Sequence, residues 1–172
     1  MQGKLKLIIP PEEIHIAVDR LATAIRADYS GRTPVVIGVL KGAFMFTSDL
    51  VRALKIPFEL DFIQTSCYAG NVTPCPEVSI VKDVSIELRE RNVIIVEDIV
   101  DRGETATAII AHIKRFQPAT VEVCALLKRA GTRASDNIKY TGMEVKAGYV
   151  VGYGMDYNEH FRGLPGLYVL DK

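Results

Sequence analysis

The stretch between Val93 and Thr105 constrains the fold of this chain most, because an acidic turn there joins an apolar run to a helical pattern. Residues 93–96 are Val-Ile-Ile-Val, which predicts a strand buried in a parallel sheet. After this run the chain turns through the acids Glu97, Asp98 and Asp101 to Gly103 and Thr105. Apolar residues then recur at helical spacing from residue 105 to residue 116.

A strand that turns through acids and a glycine into a helix is suited to holding a sugar phosphate. The first N–H groups of a helix have no partner within it, and the helix dipole favours an anion at that end. Gly103 lets the backbone approach a phosphate closely. Glu97 and Asp98 can accept hydrogen bonds from sugar hydroxyls or hold a divalent cation, whereas Asp101 could equally serve as a helix cap.

Strands alternate with helices along the first two thirds of the chain. The pattern predicts strands at 34–40, 58–64 and 120–127 and a helix at 43–54, in addition to the strand and helix of the acidic turn. This alternation predicts an α/β fold with a doubly wound parallel sheet. Ligands of such sheets bind beyond the carboxyl ends of the strands, so Lys41 and the acids of residues 97–101 could line one crevice.

The remaining segments are predicted to cover or close this sheet. A helix begins at Pro10-Pro11 and ends before Ser30. Residues 65–77 form a loop rich in Gly, Asn and Pro, and residues 78–81 form a short strand that pairs back before it. Such a loop is either a lid over a site or a disordered surface hairpin. Residues 130–141 read as irregular, and strands are predicted at 145–151 and 167–170.

Composition limits the kind of partner. A chain of 172 residues predicts one domain, and 21 basic against 21 acidic residues give no net charge to attract nucleic acid or a membrane surface. Three cysteines without paired spacing fit a reducing compartment. The first residues do not resemble a signal peptide, and no apolar run is long enough to span a membrane. We therefore expect a cytoplasmic protein.

Five segments, in one order along nearly the whole chain, resemble the purine phosphoribosyltransferases, and in particular the hypoxanthine-guanine branch of that family. They are the acidic turn, Val39 to Phe44, Asp61-Phe62 with Ser66-Cys67-Tyr68, Leu127-Lys128-Arg129, and Val150 to Glu159. The resemblance implies a type I phosphoribosyltransferase-like α/β fold, in which a parallel sheet flanked by helices carries a small hood and a mobile flap. It also implies a homodimer or homotetramer.

The resemblance further divides the single domain, residues 1–172, into two parts. The core would span about 30–145, and the hood would come from about 1–15 and 146–172. A non-proline cis peptide is frequent in the family at the turn that carries Lys41 and Gly42. The flap would begin at Cys67 and Tyr68.

The implied activity is transfer of the 5-phosphoribosyl group from phosphoribosyl diphosphate (PRPP) to a 6-oxopurine, hypoxanthine or guanine, in purine salvage. The products would be IMP or GMP and diphosphate, and the cofactor would be Mg²⁺. Asp101 would be the general acid/base at N7 of the purine. Contacts to PRPP are implied for Lys41, Gly42, Glu97, Asp98, Arg102, Gly103, Glu104, Thr105 and Arg162.

Recognition of the base is implied for four residues. Lys128 would donate to O6 of the purine, which selects 6-oxopurines over adenine. Tyr149 would stack on the ring, Val150 would bind the purine edge through its backbone, and Asp156 would lie beside the base. Asp156 would also hold the metal, together with Glu97 and Asp98.

The sequence departs from the family pattern at two positions and leaves other functions open. Arg102 stands where the family usually has Thr, and Cys67 where it usually has Ser. Arg133, a candidate for the diphosphate, lies one residue further from Lys128 than the pattern requires. The alternatives are a phosphoribosyltransferase for xanthine-guanine or a pyrimidine, and a non-catalytic regulator that senses PRPP or nucleotides. Lys128 with Tyr149 favours a 6-oxopurine enzyme.

Overall fold

The computed structural model describes residues 4–67, 78–131, 138–146 and 148–171, and the statements below concern these residues. Their elements, in chain order, are β1 (Lys4–Ile9), α1 (Pro11–Asp28), β2 (Val35–Leu40), α2 (Phe44–Leu54), β3 (Glu59–Cys67), β4 (Val78–Lys82), β5 (Asn92–Val100), α3 (Glu104–Lys114), β6 (Thr120–Arg129), β7 (Ile138–Val145), β8 (Tyr149–Val151) and β9 (Leu167–Asp171). The predicted alternation of strands and helices over the first two thirds of the chain is confirmed.

The main sheet has the strand order β4-β3-β2-β5-β6-β7. Strands β3, β2, β5, β6 and β7 are mutually parallel, and β4 runs antiparallel to β3 at one edge. The apolar run at residues 93–96 is fully buried in β5, as its composition predicts. The expected α/β fold with a mostly parallel sheet is therefore confirmed.

Helices cover both faces of this sheet. On one face, α1 and α2 pack with Phe46 and Leu50 against the sheet residues Val36 and Ile94. On the other face, Ile109 and Ile113 of α3 pack against the neighbouring positions of β2, β5 and β6, because successive strand residues point to opposite faces. Within the described ranges, no helix combines the length and hydropathy needed to cross a bilayer.

A second, antiparallel sheet has the order β1-β9-β8 and joins the two ends of the described chain. Its register pairs Lys4 with Asp171 and Tyr149 with Leu170. This small sheet comes from the same parts of the sequence as the expected hood. The proposed boundaries between core and hood stay a prediction.

Strands β3 and β4 are the two arms of the predicted flap. Cys67 pairs with Val78 across them, which confirms that the strand after the loop pairs back on the one before it. Tyr68 and the loop 68–77 lie outside the described residues, as does Arg133.

Two predictions about the last third of the chain were wrong. Residues 130–141 were expected to be irregular, but β7 begins at Ile138 and pairs with β6. The strand expected at 145–151 is instead the last residue of β7 and the whole of β8, with Gly148 at φ 126° between them. Polar residues such as Lys139 and Thr141 alternate along the sheet edge and obscure the strand pattern there.

Candidate active site

A cavity of about 530 Å³ lies beyond the carboxyl ends of β2, β5 and β6, beneath the small sheet. This is the position at which parallel sheets bind ligands. Eight residues that the sequence indicated line it: Lys41, Gly42, Asp98, Asp101, Tyr149, Val150, Asp156 and Arg162. The structure thus brings together side chains from four separate segments of the chain.

The turn after β2 packs directly against the acidic turn after β5. The Leu40–Lys41 peptide is cis, which places the implied cis peptide at this turn. A Cβ atom on Gly42 would lie 1.8 Å from Oδ2 of Asp98. Only glycine allows this close contact, so Gly42 lets the Lys41 turn pack directly against the Asp98 carboxylate at the cavity.

Glu97 and Asp98 are adjacent acids with unfavourable surroundings for their charges. Glu97 is buried, and burial together with the neighbouring Asp98 raises its pKa well above the usual range. Burial also raises the pKa of Asp98 to about 6, although the N–H of Ile99 donates to this carboxylate over 2.7 Å. Only Asp98 of the two lines the cavity, whereas Glu97 is buried and does not line it. A cation bound at Asp98 would relieve this electrostatic cost.

The expected phosphate turn has the backbone geometry of an anion site. Gly103 has φ 83° and lies directly before α3, and its carbonyl accepts the N–H of Thr107 over 2.9 Å. The N–H groups of the first helical turn, including that of Thr105, have no acceptor within the helix. Arg102, Gly103 and Glu104 line a second cavity of about 560 Å³, which extends toward Val78 at the start of β4.

Asp101 lies at the mouth of the first cavity with its side chain 60% exposed. Arg129 donates from Nε to Oδ1 of Asp101 over 3.4 Å and also lines the cavity. The sequence analysis assigned no role to Arg129. The alternation of side chains along a strand could have indicated it, because Lys128 and Arg129 must point to opposite faces of β6.

Lys128 lies on the other face of the strand. Its Nζ is 3.6 Å from Oε1 of Glu144 on β7, and its side chain is largely buried. It is not among the residues that line the first cavity. The implied contact of Lys128 with O6 of a purine stays a prediction.

The aromatic wall of the cavity comes from β8 and the segment after it. The Tyr149 ring is 47% exposed and meets the Tyr157 ring edge-on, with centroids 5.2 Å apart. Val150, the next residue, is buried. Burial raises the pKa of Tyr149, so its hydroxyl stays protonated near neutral pH. An open aromatic face braced by a second ring is suited to stacking with a planar base.

Charged residues of the C-terminal segment line the same cavity together with Lys41. Arg162 contacts Asp156 over 2.8 Å and Glu159 over 3.1 Å, and Lys41 contacts Glu159 over 3.0 Å. The hydrogen bond from Lys41, and then that from Arg162, lowers the pKa of Glu159. Glu159 belongs to a segment that carried the family resemblance, yet the sequence analysis gave it no role.

Other cavity residues were also missed: Gln64, Thr65, Ile99 and Met155. Gln64 pairs with Leu40 across β3 and β2, so it stands beside the Lys41 turn at the carboxyl end of the sheet. The rule that ligands bind at this end could have indicated Gln64 and Thr65, once the strand order was known.

The sequence matches the phosphoribosyl transferase domain family over residues 10–158. It is 35% identical to the hypoxanthine-guanine phosphoribosyltransferase of Bacillus subtilis, over 96% of this chain and 92% of that protein. It is 34% identical to the hypoxanthine phosphoribosyltransferase of Salmonella typhimurium, over 96% of this chain and 94% of that one.

A solved structure and a longer relative are also similar to this chain. A crystal structure of a hypoxanthine-guanine phosphoribosyltransferase from Bacillus anthracis superposes with a TM-score of 0.91 at 33% identity, over 98% of this chain and 99% of that one. The bifunctional protein TilS/HprT of Listeria innocua is 37% identical over 96% of this chain. The chain spans only 26% of that longer relative's length.

Proposed function

The chain belongs to the phosphoribosyltransferase family, and we propose that it transfers the 5-phosphoribosyl group of PRPP to hypoxanthine or guanine, releasing diphosphate. One observation carries this proposal. A single cavity contains cationic side chains, the carboxylates of Asp98 and Asp156, an exposed aromatic face and the carboxylate of Asp101. These groups match the diphosphate, the metal, the purine ring and the proton of the reaction, respectively.

The phosphate groups of PRPP would occupy the basic and backbone-donor parts of the site. Lys41 and Arg162 lie on one side of the cavity and supply charge for the diphosphate. The first turn of α3, after Gly103, supplies N–H groups for the 5′-phosphate. Arg102 points at the second cavity and adds a cation there, in place of the hydroxyl usual in the family.

The chemical step exchanges one bond at the anomeric carbon for another. The C1′–oxygen bond to diphosphate breaks with its electron pair on the diphosphate, and N9 of the purine forms the new bond to C1′. The purine gains positive charge, which is relieved when the N7 proton passes to Asp101. The contact with Arg129 positions the Asp101 carboxylate at the cavity mouth while leaving most of it accessible.

Purine recognition would come from the wall formed by β8 and the end of β6. Tyr149 would stack on the base with Tyr157 supporting its ring, and the backbone of Val150 would bind the purine edge. Lys128 would donate to O6. The neighbouring Arg129 is a second candidate donor, because it lines the cavity. A donor at O6 accepts hypoxanthine and guanine and rejects adenine.

The donor set fits an Mg²⁺ ion bound jointly by protein and substrate. Asp98 and Asp156 offer carboxylate oxygens in one cavity, and burial, with the charge of Asp156 as a smaller cause, raises the pKa of Asp98. In the described part of the chain, no group of three or more metal-binding side chains forms a complete cage. This suits Mg²⁺, which usually binds one or two carboxylates together with substrate oxygens and water. When bound, it would neutralise charge on the leaving diphosphate.

The decisive test is purine-dependent consumption of PRPP, measured with hypoxanthine, guanine, xanthine and adenine. We expect diphosphate release with the first two bases and none with adenine. Release with xanthine alone would instead identify a related transferase of different specificity. Binding of PRPP without release under any base would identify a non-catalytic sensor.

The role of Asp101 has its own test. The substitution Asp101→Asn keeps the shape but removes the proton acceptor, and we expect kcat to fall by about 100-fold or more. Binding of PRPP, measured by calorimetry, should change by less than about threefold. Loss of PRPP binding instead of turnover would contradict the assigned role.

We also propose a homodimer or homotetramer, on the family resemblance alone. Light scattering coupled to size-exclusion chromatography would give the mass in solution, to be compared with 19.0 kDa for one chain. A mass of one chain at assay concentration would exclude this proposal.

A further inference from the structure

The Glu159 carboxylate binds both cationic side chains, Lys41 and Arg162, that are expected to bind the diphosphate. Its Oε1 atom accepts a hydrogen bond from Lys41 Nζ over 3.0 Å. Its Oε2 atom accepts from Arg162, over 3.1 Å from Nη2 and 3.4 Å from Nε. All three side chains line the same cavity. Any phosphorylated ligand that binds Lys41 and Arg162 must therefore compete with this carboxylate.

The backbone at Glu159 gives a second, independent indication of function. Tyr157 and His160 exchange backbone hydrogen bonds of 3.1 and 3.0 Å around a two-residue loop, Asn158-Glu159. Both loop residues have positive φ, 51° and 64°, as in a type I′ turn. The second loop position of such turns strongly favours glycine. A glutamate held there keeps a strained backbone, and strain of this kind clusters at functional sites.

We propose that Glu159 is an intramolecular competitor of diphosphate: its carboxylate holds Lys41 and Arg162, and bound diphosphate displaces it. The inference rests on the proposed function, because it names the diphosphate as the ligand of these cations. The carboxylate weakens diphosphate binding. It also speeds release of diphosphate after the reaction, because it forms its ion pairs with Lys41 and Arg162 again.

The charges and exposures explain why such an exchange is easy. The side chains of Lys41 and Glu159 are 55% and 65% exposed, and ion pairs at exposed sites contribute little stability. Diphosphate carries several negative charges and so outcompetes one carboxylate. Arg162 does not depend on Glu159 for its position, because it also contacts Asp156 and donates to the carbonyl of Gly154 over 2.8 Å.

The test is calorimetric titration of the full chain with inorganic diphosphate in metal-free buffer. The substitution Glu159→Gln removes the charge and keeps the size and the backbone conformation of the loop residue. We expect it to tighten diphosphate binding by about three- to fivefold, as loss of an exposed ionic competitor allows. A merely structural role predicts the opposite, because a damaged cavity binds diphosphate more weakly.

Two further variants separate charge from backbone effects. Glu159→Gly also removes the charge, so it should tighten diphosphate binding equally. It also relieves the backbone strain at this positive-φ position, so it should raise the unfolding temperature. Glu122→Gln is the matched control, since Glu122 pairs with Lys139 over 3.6 Å near the start of β6, away from the cavity. It should leave diphosphate affinity unchanged. Unchanged or weaker binding in Glu159→Gln overturns the inference, even if Glu159→Gly binds more tightly.

Failure of this inference and failure of the proposed function give different results. If Glu159→Gln tightens diphosphate binding but no purine base supports PRPP consumption, the competitor role stands and the proposed reaction fails. If PRPP is consumed with hypoxanthine and Glu159→Gln binds diphosphate no more tightly, only the competitor role fails.

Discussion

Asp61 on β3 and Asp98 on β5 lie on the two strands that flank β2, yet the pKa values of their carboxyl groups shift in opposite directions. Burial acts to raise the pKa of Asp61, but hydrogen bonds from the N–H groups of Ser85, Phe62 and Ile86 and from Lys82 lower it to about 2. The pKa of Asp98 is raised to about 6 by the same cause, burial, with far fewer donors to offset it.

The difference lies in where the donors come from. Asp61 accepts bonds of 2.6 to 3.1 Å from three backbone N–H groups, and the N–H groups of Ser85 and Ile86 belong to the loop after β4. Its charge is therefore satisfied by the fold itself. For Asp98, burial and the nearby acids Asp156 and Glu97 outweigh the hydrogen bond from the N–H of Ile99 and the charge of Arg162. Its charge is therefore left for a ligand to satisfy. An acid satisfied within the chain serves stability, and one left unsatisfied serves binding.

The largest expected effect is on activity at Asp98. Asp98→Asn should lower purine-dependent PRPP consumption by about 100-fold, because it removes a carboxylate charge that would hold the metal beside the leaving diphosphate. The same change should raise the free energy of unfolding by about 1 kcal/mol near pH 7, since it ends the cost of burying the Asp98 charge. Steady-state kinetics and denaturant unfolding measure the two effects.

The exposed Asp19 on α1 provides a matched control for this prediction. Asp19→Asn should change neither activity nor stability measurably. If Asp98→Asn instead destabilised the protein markedly, the Asp98 charge would stabilise the fold as that of Asp61 does, and the proposed difference between the two acids would be wrong.

The next effect is on stability at Asp61. Asp61→Asn should lower the free energy of unfolding by about 2 kcal/mol near pH 7, because the donors around it lose their charged acceptor. We expect kcat to stay within about twofold of the original value, since Asp61 does not line the cavity. Urea unfolding curves and the PRPP assay would show whether stability and activity separate at this residue.

The pH dependence of stability tests whether the charge of Asp61 stabilises the fold. The pKa of Asp61 is lower in the folded chain than its ordinary value of 3.8, so its charge stabilises the fold above that pH. This contribution is lost as the pH falls from about 4 toward 2. The stability difference between the original chain and Asp61→Asn should therefore narrow over this window. A difference that stayed constant with pH would show that the carboxylate charge is not the cause.

The smallest effect is expected at Lys82, which contacts Asp61 over 3.2 Å. The Lys82 side chain is 45% exposed, and three backbone N–H groups would still satisfy Asp61 without it. Lys82→Met should therefore cost less than about 1 kcal/mol of unfolding free energy. A cost as large as that of Asp61→Asn would mean that the ion pair, rather than the backbone donors, holds this acid.

Much of the fold was predictable because local patterns and packing agree. The buried runs of β2 and β5 and the apolar stripe of α1 each appear where composition and spacing indicated. β7 was not predictable in this way, because an edge strand needs a hydrophobic face on one side only and its polar positions resemble a loop. β1 was also not identified, since its lysines alternate with apolar residues and its partner β9 lies at the other end of the chain.

The site was predictable where chemistry and motif coincide, as at Lys41, Asp98 and Arg162. It was not predictable where the role depends on side-chain direction or on contacts between distant segments. Arg129 reaches the cavity and Lys128 does not, and only the register of β6 decides this. Glu159 became visible as a site residue only when its loop and the Lys41 turn were seen together.

The pairing of β1 with β9, and of β9 with β8, has a consequence for biosynthesis. The strands that pair with β5, which leads into the acidic turn, are β2 and β6, and both precede β7 in the chain. The small sheet, which carries Tyr149, needs β9 to pair with both β1 and β8. A chain interrupted during synthesis before β9 would therefore lack the strand that joins β1 to the Tyr149 wall of the cavity.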